Sequence, residues 1–214
     1  MTETLKHKHT FDTVHGAQEV FRILLEALAN PGRILNLRPL EEQFAAQGRW
    51  LAPALTLLDA ETGFFWDGDR QTGEEMRFLS GAPQVPLEKA DFVFLPSLDE
   101  GPSESAAVEA ARILSTVKQG TYMYPHDSAL LFIAAGERYA GKDAGEPVNG
   151  PVSLRGPGIP PEGRRIDLLP AEAAWHRARD EQGFEYPRGV ELIFLRKDGS
   201  LLALTRKTEI LWPM

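Results

Sequence analysis

The densest group of chemistry-bearing side chains is Tyr124-Pro125-His126-Asp127-Ser128, which sets a base, a carboxylate and a hydroxyl on three consecutive residues. A nucleophilic triad needs those groups to converge on one atom in space, and chain neighbours rarely do. Asp127 and Ser128 serve equally well as turn or strand-start residues. His126 and Asp127 therefore stand as candidates for base chemistry, and no residue is assigned a catalytic role.

The most unusual segment is Arg155-Gly156-Pro157-Gly158-Ile159-Pro160-Pro161. Its glycines allow a close approach by a ligand or another stretch of backbone, while its prolines hold the loop stiff. Alone it is a poor phosphate cradle, because Pro157 removes one N–H that an anion nest needs and the pattern GxxxxGK[ST] is absent. With Arg155, Arg164 and Arg165 flanking it, the functional reading is a bidentate grip on an anion. The architectural reading is a crossover loop. Arg155, Gly156, Gly158 and Arg165 are the ligand-binding candidates here.

Other motifs carry less. His7-Lys8-His9 offers two imidazoles with no further ligand beside them, so residues 1–10 read as a flexible terminus and no metal site is assigned. Ser115-Thr116-Val117-Lys118 matches Ser-x-x-Lys only formally, since its companion motifs are missing. Neither GxSxG nor GxGxxG occurs. The complete lack of Cys removes disulfides, thiolate nucleophiles and iron–sulfur ligation by this chain.

The elements that must position these residues are legible in part. Thr13 can cap a helix to about Ala29, with Val14, Phe21, Leu24, Leu25 and Leu28 on one side, stopped by Asn30-Pro31-Gly32. An extended piece through Ile34–Leu37, a helix from Trp50 to Asp59 and a short strand Phe64-Phe65-Trp66 follow. Ala90–Pro96 and Ala129–Ala135 are short apolar runs of the kind that form buried strands, and a helix is predicted between them over Ser103–Lys118. Its inner stripe is Ala107, Ala111, Leu114 and Val117. Ala171–Gln182 reads as another helix, and Val190–Leu195 with Leu201–Leu204 as a hairpin around Asp198-Gly199. Strands apolar at successive positions need cover on both faces, so the expected architecture is α/β: a three-layer α/β/α domain with a mixed central sheet.

The 214 residues, 43% hydrophobic and 25% charged, fit one domain over 1–214, with 141–163 as a Gly/Pro-rich loop. A net charge of −8 argues against nucleic acid as a partner, although Arg residues gather in the second half, Arg179, Arg188 and Arg206 among them. No apolar run is long enough for a membrane span and no signal peptide is visible, so a cytoplasmic location is expected.

Several stretches taken together resemble the PhnH family of carbon–phosphorus lyase subunits. They are Gln18 with Phe21-Arg22 and Ala29-Asn30-Pro31-Gly32; Leu58-Asp59-Ala60-Glu61-Thr62; Arg77-Phe78 with Ser80-Gly81-Ala82-Pro83; Tyr124–Ala129; Leu154–Ile159; and Tyr186–Phe194. They follow the family's order across nearly the whole chain. Two departures stand out: Glu191 occupies a position where the family usually shows Asp, and Leu204-Thr205-Arg206-Lys207-Thr208 replaces a Pro-Arg-Thr-Thr segment. Arg206 is kept, which makes it a further ligand-binding candidate.

The resemblance implies a fold like the large domain of pyridoxal-phosphate-dependent transferases, without that or any other cofactor. It also implies a homodimer that joins PhnG, PhnI and PhnJ in the lyase core, where a ribose-phosphonate triphosphate intermediate is formed and its carbon–phosphorus bond is cut. The cutting, by an iron–sulfur cluster and S-adenosylmethionine, belongs to PhnJ. On this reading the chain is an accessory subunit. The alternative is an independent hydrolase or transferase acting on a phosphorylated or phosphonylated nucleoside, with His126 or Asp127 as base and Arg155 or Arg165 holding the anion.

Overall fold

A run such as Leu130-Leu131-Phe132-Ile133-Ala134-Ala135 is stable as a strand only where both sheet faces are shielded from water, and the computed structural model shows that shielding. It describes residues 11–37, 47–96, 103–135 and 150–213. In chain order the elements are α1 (His15–Ala29), β1 (Leu35–Asn36), α2 (Gly48–Leu57), β2 (Phe64–Trp66), α3 (Arg70–Ser80), β3 (Phe92–Leu95), α4 (Ser103–Thr116), β4 (Leu130–Ala135), β5 (Val152–Arg155), β6 (Arg164–Ile166), α5 (Pro170–Glu181), β7 (Glu191–Arg196), β8 (Ser200–Leu204) and β9 (Glu209–Leu211).

The main sheet has six strands in the order β1-β8-β7-β4-β3-β2. Strands β2, β3, β4 and β7 run parallel, while β8 is antiparallel to both β7 and β1. Side-chain alternation splits the core in two. Val93, Leu131, Ile133, Leu192 and Phe194 face a core completed by Ala110, Ile113 and Leu114 of α4 and Ala173, Trp175 and Ala178 of α5. Phe94, Phe132, Ile193 and Ala203 face the other way, onto Val20, Leu24 and Ala27 of α1, Trp50 and Leu51 of α2, and Met76 of α3. Phe94 and Phe132 are register partners whose rings stack with centroids 4.9 Å apart. The mixed sheet between helical layers is as predicted.

Several local expectations need correction. The buried stripe of α1 is Val20, Leu24 and Ala27, whereas Val14, Phe21 and Leu25 point to solvent. Gly16 seats the ring of Phe11, 3.0 Å from where its Cβ would be, and small Ala27 is fully buried, so the face turned inward is not the one with the largest side chains. Asp12, not Thr13, satisfies the first turn, its Oδ1 accepting from the N–H groups of Val14 and His15 at 2.8 and 3.0 Å. These bonds hold the Asp12 carboxyl down at about 2. The inner stripe of α4 is Ala110, Ile113 and Leu114, followed by Val117, with Ala107 exposed.

Two features were not foreseen. Helix α3 is capped by Asp69, which accepts from the Thr72 N–H at 2.9 Å. A second, three-stranded antiparallel sheet, β6-β5-β9, places Val152, Leu154, Ile166 and Ile210 into the core on the α4 and α5 side. The segment 141–163 is therefore not wholly loop, since β5 lies inside it. Residues 1–10, with His7 and His9, lie outside the described residues.

The Gly/Pro segment after β5 packs on the turn that ends α1. Arg164 donates through Nη1 to the carbonyls of Asn30 and Pro31 at 2.8 and 2.6 Å, and the Gly32 N–H donates to the Ala203 carbonyl at 2.9 Å. The turn is thus pinned between β8 and the small sheet.

Candidate functional site

The two sheets are joined by the turn Thr205–Thr208, between β8 and β9. The turn closes on itself: the Thr208 N–H donates to the Thr205 carbonyl at 2.8 Å, and Thr208 Oγ1 accepts from the Thr205 N–H at 3.1 Å. From one side α5 grips it. Buried Arg179 donates Nη1 to the carbonyls of Leu204 and Thr205 at 3.1 and 2.7 Å, and Nη2 to that of Thr208 at 2.9 Å. His176, also buried, places Nε2 3.0 Å from the same Thr208 carbonyl, which can only accept. From the other side Gly156 lies so close that a Cβ there would sit 2.5 Å from the Lys207 carbonyl oxygen.

This clamp presents Arg206 to three other segments. Its Nε donates to Glu191 Oε1 at 2.6 Å and its backbone N–H to Oε2 at 2.6 Å. Nη1 donates to the carbonyls of Pro125 and Pro187 at 3.1 and 2.8 Å, and Nη2 to Ser128 Oγ at 2.8 Å. Four of the five guanidinium N–H groups are thereby spent on the protein. Arg206 is a clasp over the ends of β4 and β7, with one Nη2 hydrogen left over. Arg206→Lys keeps the charge but loses the planar fork that reaches four acceptors. It is expected to lower unfolding free energy by about 1–3 kcal/mol, read from the urea midpoint.

Two small clefts flank the clasp. One, of about 290 Å³, is lined by Pro125, His126, Tyr186, Pro187 and Arg206. The other, of about 240 Å³, is lined by Arg179, Asp180, Gly183, Phe184, Arg188, Gly189 and Arg206. Around them stand cations laid on aromatic rings: Lys207 Nζ is 3.9 Å from the Tyr186 centroid and Arg188 Cζ 5.1 Å from that of Tyr122. The Tyr122 hydroxyl donates to Glu185, and this bond holds the phenol above its ordinary value. A larger cleft of about 410 Å³ lies along α3, between Trp66, Gly73, Glu74 and Gln84. Its cations are Arg70, paired with Glu74 at 2.7 Å, and Arg77.

The residues singled out in the sequence do not all meet. His126 and Asp127 occupy a single 3₁₀ turn, largely in solvent, with His126 Nε2 and Asp127 Oδ1 3.6 Å apart, beyond hydrogen-bond range. Ser128 Oγ accepts from Arg206 instead of facing His126. Arg155 and Arg165 both stand exposed on the small sheet, where Arg155 is register partner to Glu209 and Arg165 to Ser153. Neither lines the clefts beside Arg206. Gly156 and Gly158 are taken up by backbone, that of Lys207 and Ala29 respectively. Among the described residues no group of three His, Asp or Glu side chains could hold a metal ion, and no helix is long and apolar enough to cross a membrane.

Tyr124–Ala129, Leu154–Ile159, Tyr186–Phe194 and Leu204–Thr208, far apart in sequence, thus assemble around one arginine. A family model described as bacterial phosphonate metabolism protein (PhnH) matches residues 9–211. The chain belongs to the PhnH family. No curated protein matches it. Membership in PhnH gives the chain a role in bacterial phosphonate metabolism. It also makes the two departures readable: the longer Glu191 spans both the backbone and the side chain of Arg206, and the Thr205–Thr208 pair closes the turn without the proline. Arg188, Arg179, Tyr122, Tyr186 and Lys207 were not among the candidates. The signals they gave were the gathering of arginines that includes Arg179 and Arg188, the family motif Tyr186-Pro187-Arg188-Gly189, and the departing segment that holds Lys207, none with an assigned role.

Proposed function

We propose that this chain is an accessory subunit of the carbon–phosphorus lyase core, working in the cytoplasm with PhnG, PhnI and PhnJ on the path to the ribose-phosphonate triphosphate intermediate. It leaves bond cleavage to those siblings. The observation that carries this reading is the surface beside the Arg206 clasp, where Tyr122, Met123, Tyr124 and Tyr186 are 57%, 80%, 52% and 62% exposed. Tyr, Met and Arg are the residue types enriched at the centres of protein interfaces, and side chains of this size seldom face water without a reason. His126 and Asp127, lying in solvent with no oriented partner, do not make a base poised for chemistry.

A second apolar stripe, Val14, Phe21 and Leu25, runs along the outer side of α1. Its position on a separate element suits self-association, as an isologous helix-to-helix contact in a homodimer.

The two surfaces can be tested separately. Met123→Glu should abolish co-purification of PhnG, PhnI and PhnJ from phosphate-starved cells while the far-UV circular dichroism of the variant stays native. Phe21→Glu should convert the dimer to a monomer in sedimentation without that loss. Full retention of the siblings by Met123→Glu, or turnover of a phosphonylated nucleoside by the purified chain alone, would favour the independent enzyme.

A further inference from the structure

The 240 Å³ cleft beside the clasp gathers guanidinium groups from three elements: Arg179 of α5, Arg188 of the loop before β7, and Arg206 of the turn after β8. An inventory of their hydrogens separates them. Arg179 and Arg206 are largely spent on protein carbonyls, Glu191 and Ser128, each keeping a free hydrogen on Nη2. Arg188 differs. Its Nε is buried without any hydrogen-bond partner, and it has no ion pair among the described residues. Its other neighbour is Tyr122, whose ring centroid lies 5.1 Å from Arg188 Cζ and with whose hydroxyl it hydrogen-bonds. A buried donor left unsatisfied costs about 1–3 kcal/mol, so a native structure that keeps one usually has a partner for it that is not part of the chain.

The acids nearby do not fill that role. Glu191 is bound by Arg206, and Glu185 accepts from Tyr122. Asp180 lines the same cleft, but its Oδ2 lies 3.0 Å from His176 Nδ1 and its Oδ1 3.9 Å from Arg179 Nε. The cleft's own lining holds three guanidinium groups and one carboxylate, Asp180, on a chain of net charge −8. A surplus of one sign in a low-dielectric hollow attracts a counter-ion.

We infer that this cleft is a binding site for a small tetrahedral oxyanion of the phosphate or phosphonate class, with Arg188 as its principal ligand. Arg suits such groups because its planar fork presents parallel donors to two oxygens at once. Arg179 and Arg206, each with one Nη2 hydrogen outside the bonds named, line the same cleft from different elements, which fits a group with three terminal oxygens. The volume is below the roughly 300–1,000 Å³ of clefts that enclose drug-sized ligands, so the site takes the anionic group and leaves any larger substituent in solvent. The inference goes beyond the accessory role and does not depend on it.

Calorimetric titration of the full chain with inorganic phosphate, methylphosphonate and acetate tests it. Saturable one-site binding of phosphate or methylphosphonate, with acetate far weaker, is expected. The tighter of the two identifies the source as a phosphate ester or a phosphonate. Arg188→Gln should weaken the binding by about tenfold or more, the loss of a charge-assisted pair, and Arg188→Lys by less. If Arg188→Gln fails to fold, the Arg188 Nε–H resonance of the native chain serves instead, and it should shift with the same saturation curve. No saturable binding of either oxyanion, equal binding of acetate, or an unmoved Nε–H signal would overturn the site. Such a failure would leave the co-purification of PhnG, PhnI and PhnJ unaffected, so the two proposals fall separately.

Discussion

Glu172→Ala should remove about 3–5 kcal/mol of stability, corresponding to a fall in Tm of roughly 6–20 °C for a chain of this size. Glu172 is fully buried in the first turn of α5. Its carboxylate accepts from Arg196 Nε at 2.7 Å, from Arg196 Nη2 at 2.8 Å and from the Leu169 N–H at 2.8 Å. Burial pushes the carboxyl above its ordinary range, and the Arg196 guanidinium and the Leu169 N–H pull against that rise. Truncation leaves Arg196, itself mostly buried, as an uncompensated charge, and leaves the N–H at the helix start unpaired. The cost arises from the stranded partner more than from the lost attraction. The double variant Glu172→Met with Arg196→Leu should therefore recover most of the loss, and urea denaturation of the three proteins measures it. A single variant within about 1 kcal/mol of the native chain would show that the pair is solvated, as surface pairs are. The consequence reaches the site: α5 carries His176 and Arg179 to the Thr205–Thr208 turn, so a loosened α5 loosens the Arg206 clasp.

What could be read from the sequence was whatever a local pattern encodes. Leu130–Ala135 and Glu191–Arg196 are apolar at successive positions, and that alone implied a sheet covered on both sides. Helix α3 escaped notice because its core-facing residues include Thr72 and Gly73 and leave only Met76 as a large apolar signal. Strands β5, β6 and β9 are three or four residues long and carry Arg155, Arg164, Arg165 and Glu209, so no alternation could establish itself. In α1 the larger apolar residues suggested the wrong face, because the buried side includes Gly16, packed on Phe11, and Ala27, which carry little apolar signal.

The site was harder to read for a different reason. Arg206 bonds to Pro125, Ser128, Pro187 and Glu191, partners 81, 78, 19 and 15 residues away, and no spacing rule links them. His126 and Asp127 attracted attention because they are adjacent, yet adjacency is what keeps them from aiming at one atom. Arg188 stood out only as one of the gathered arginines and within a family motif, since a guanidinium whose Nε lacks a partner can be recognised only after the partners of its neighbours have been counted. The resemblance, by contrast, identified the right segments without their geometry: three of its stretches, and the segment that departs from the family's pattern, meet at the clasp.

Gly158→Val should be nearly as damaging as the loss of Glu172, at about 3 kcal/mol or more, and it tests the stiff loop directly. Gly158 has φ +77°, a backbone region that a β-branched residue adopts only under strain. A Cβ at this position would lie 2.1 Å from the Ala29 carbonyl oxygen and 3.0 Å from Pro31 Cδ. The obstacle is backbone at the end of α1, which cannot rotate aside as a side chain would. Gly81 supplies the control. Its φ is +75°, but nothing lies within 4 Å of a Cβ built there, so Gly81→Ala should cost only the conformational strain, about 1–2 kcal/mol. The difference between the two variants isolates the contact between the loop and α1. Equal melting of both would mean that the loop shifts freely, and that the Asn30-Pro31-Gly32 turn, with Arg164 bonded to it, is not the fixed seat against which Gly156 and the Thr205–Thr208 turn are held.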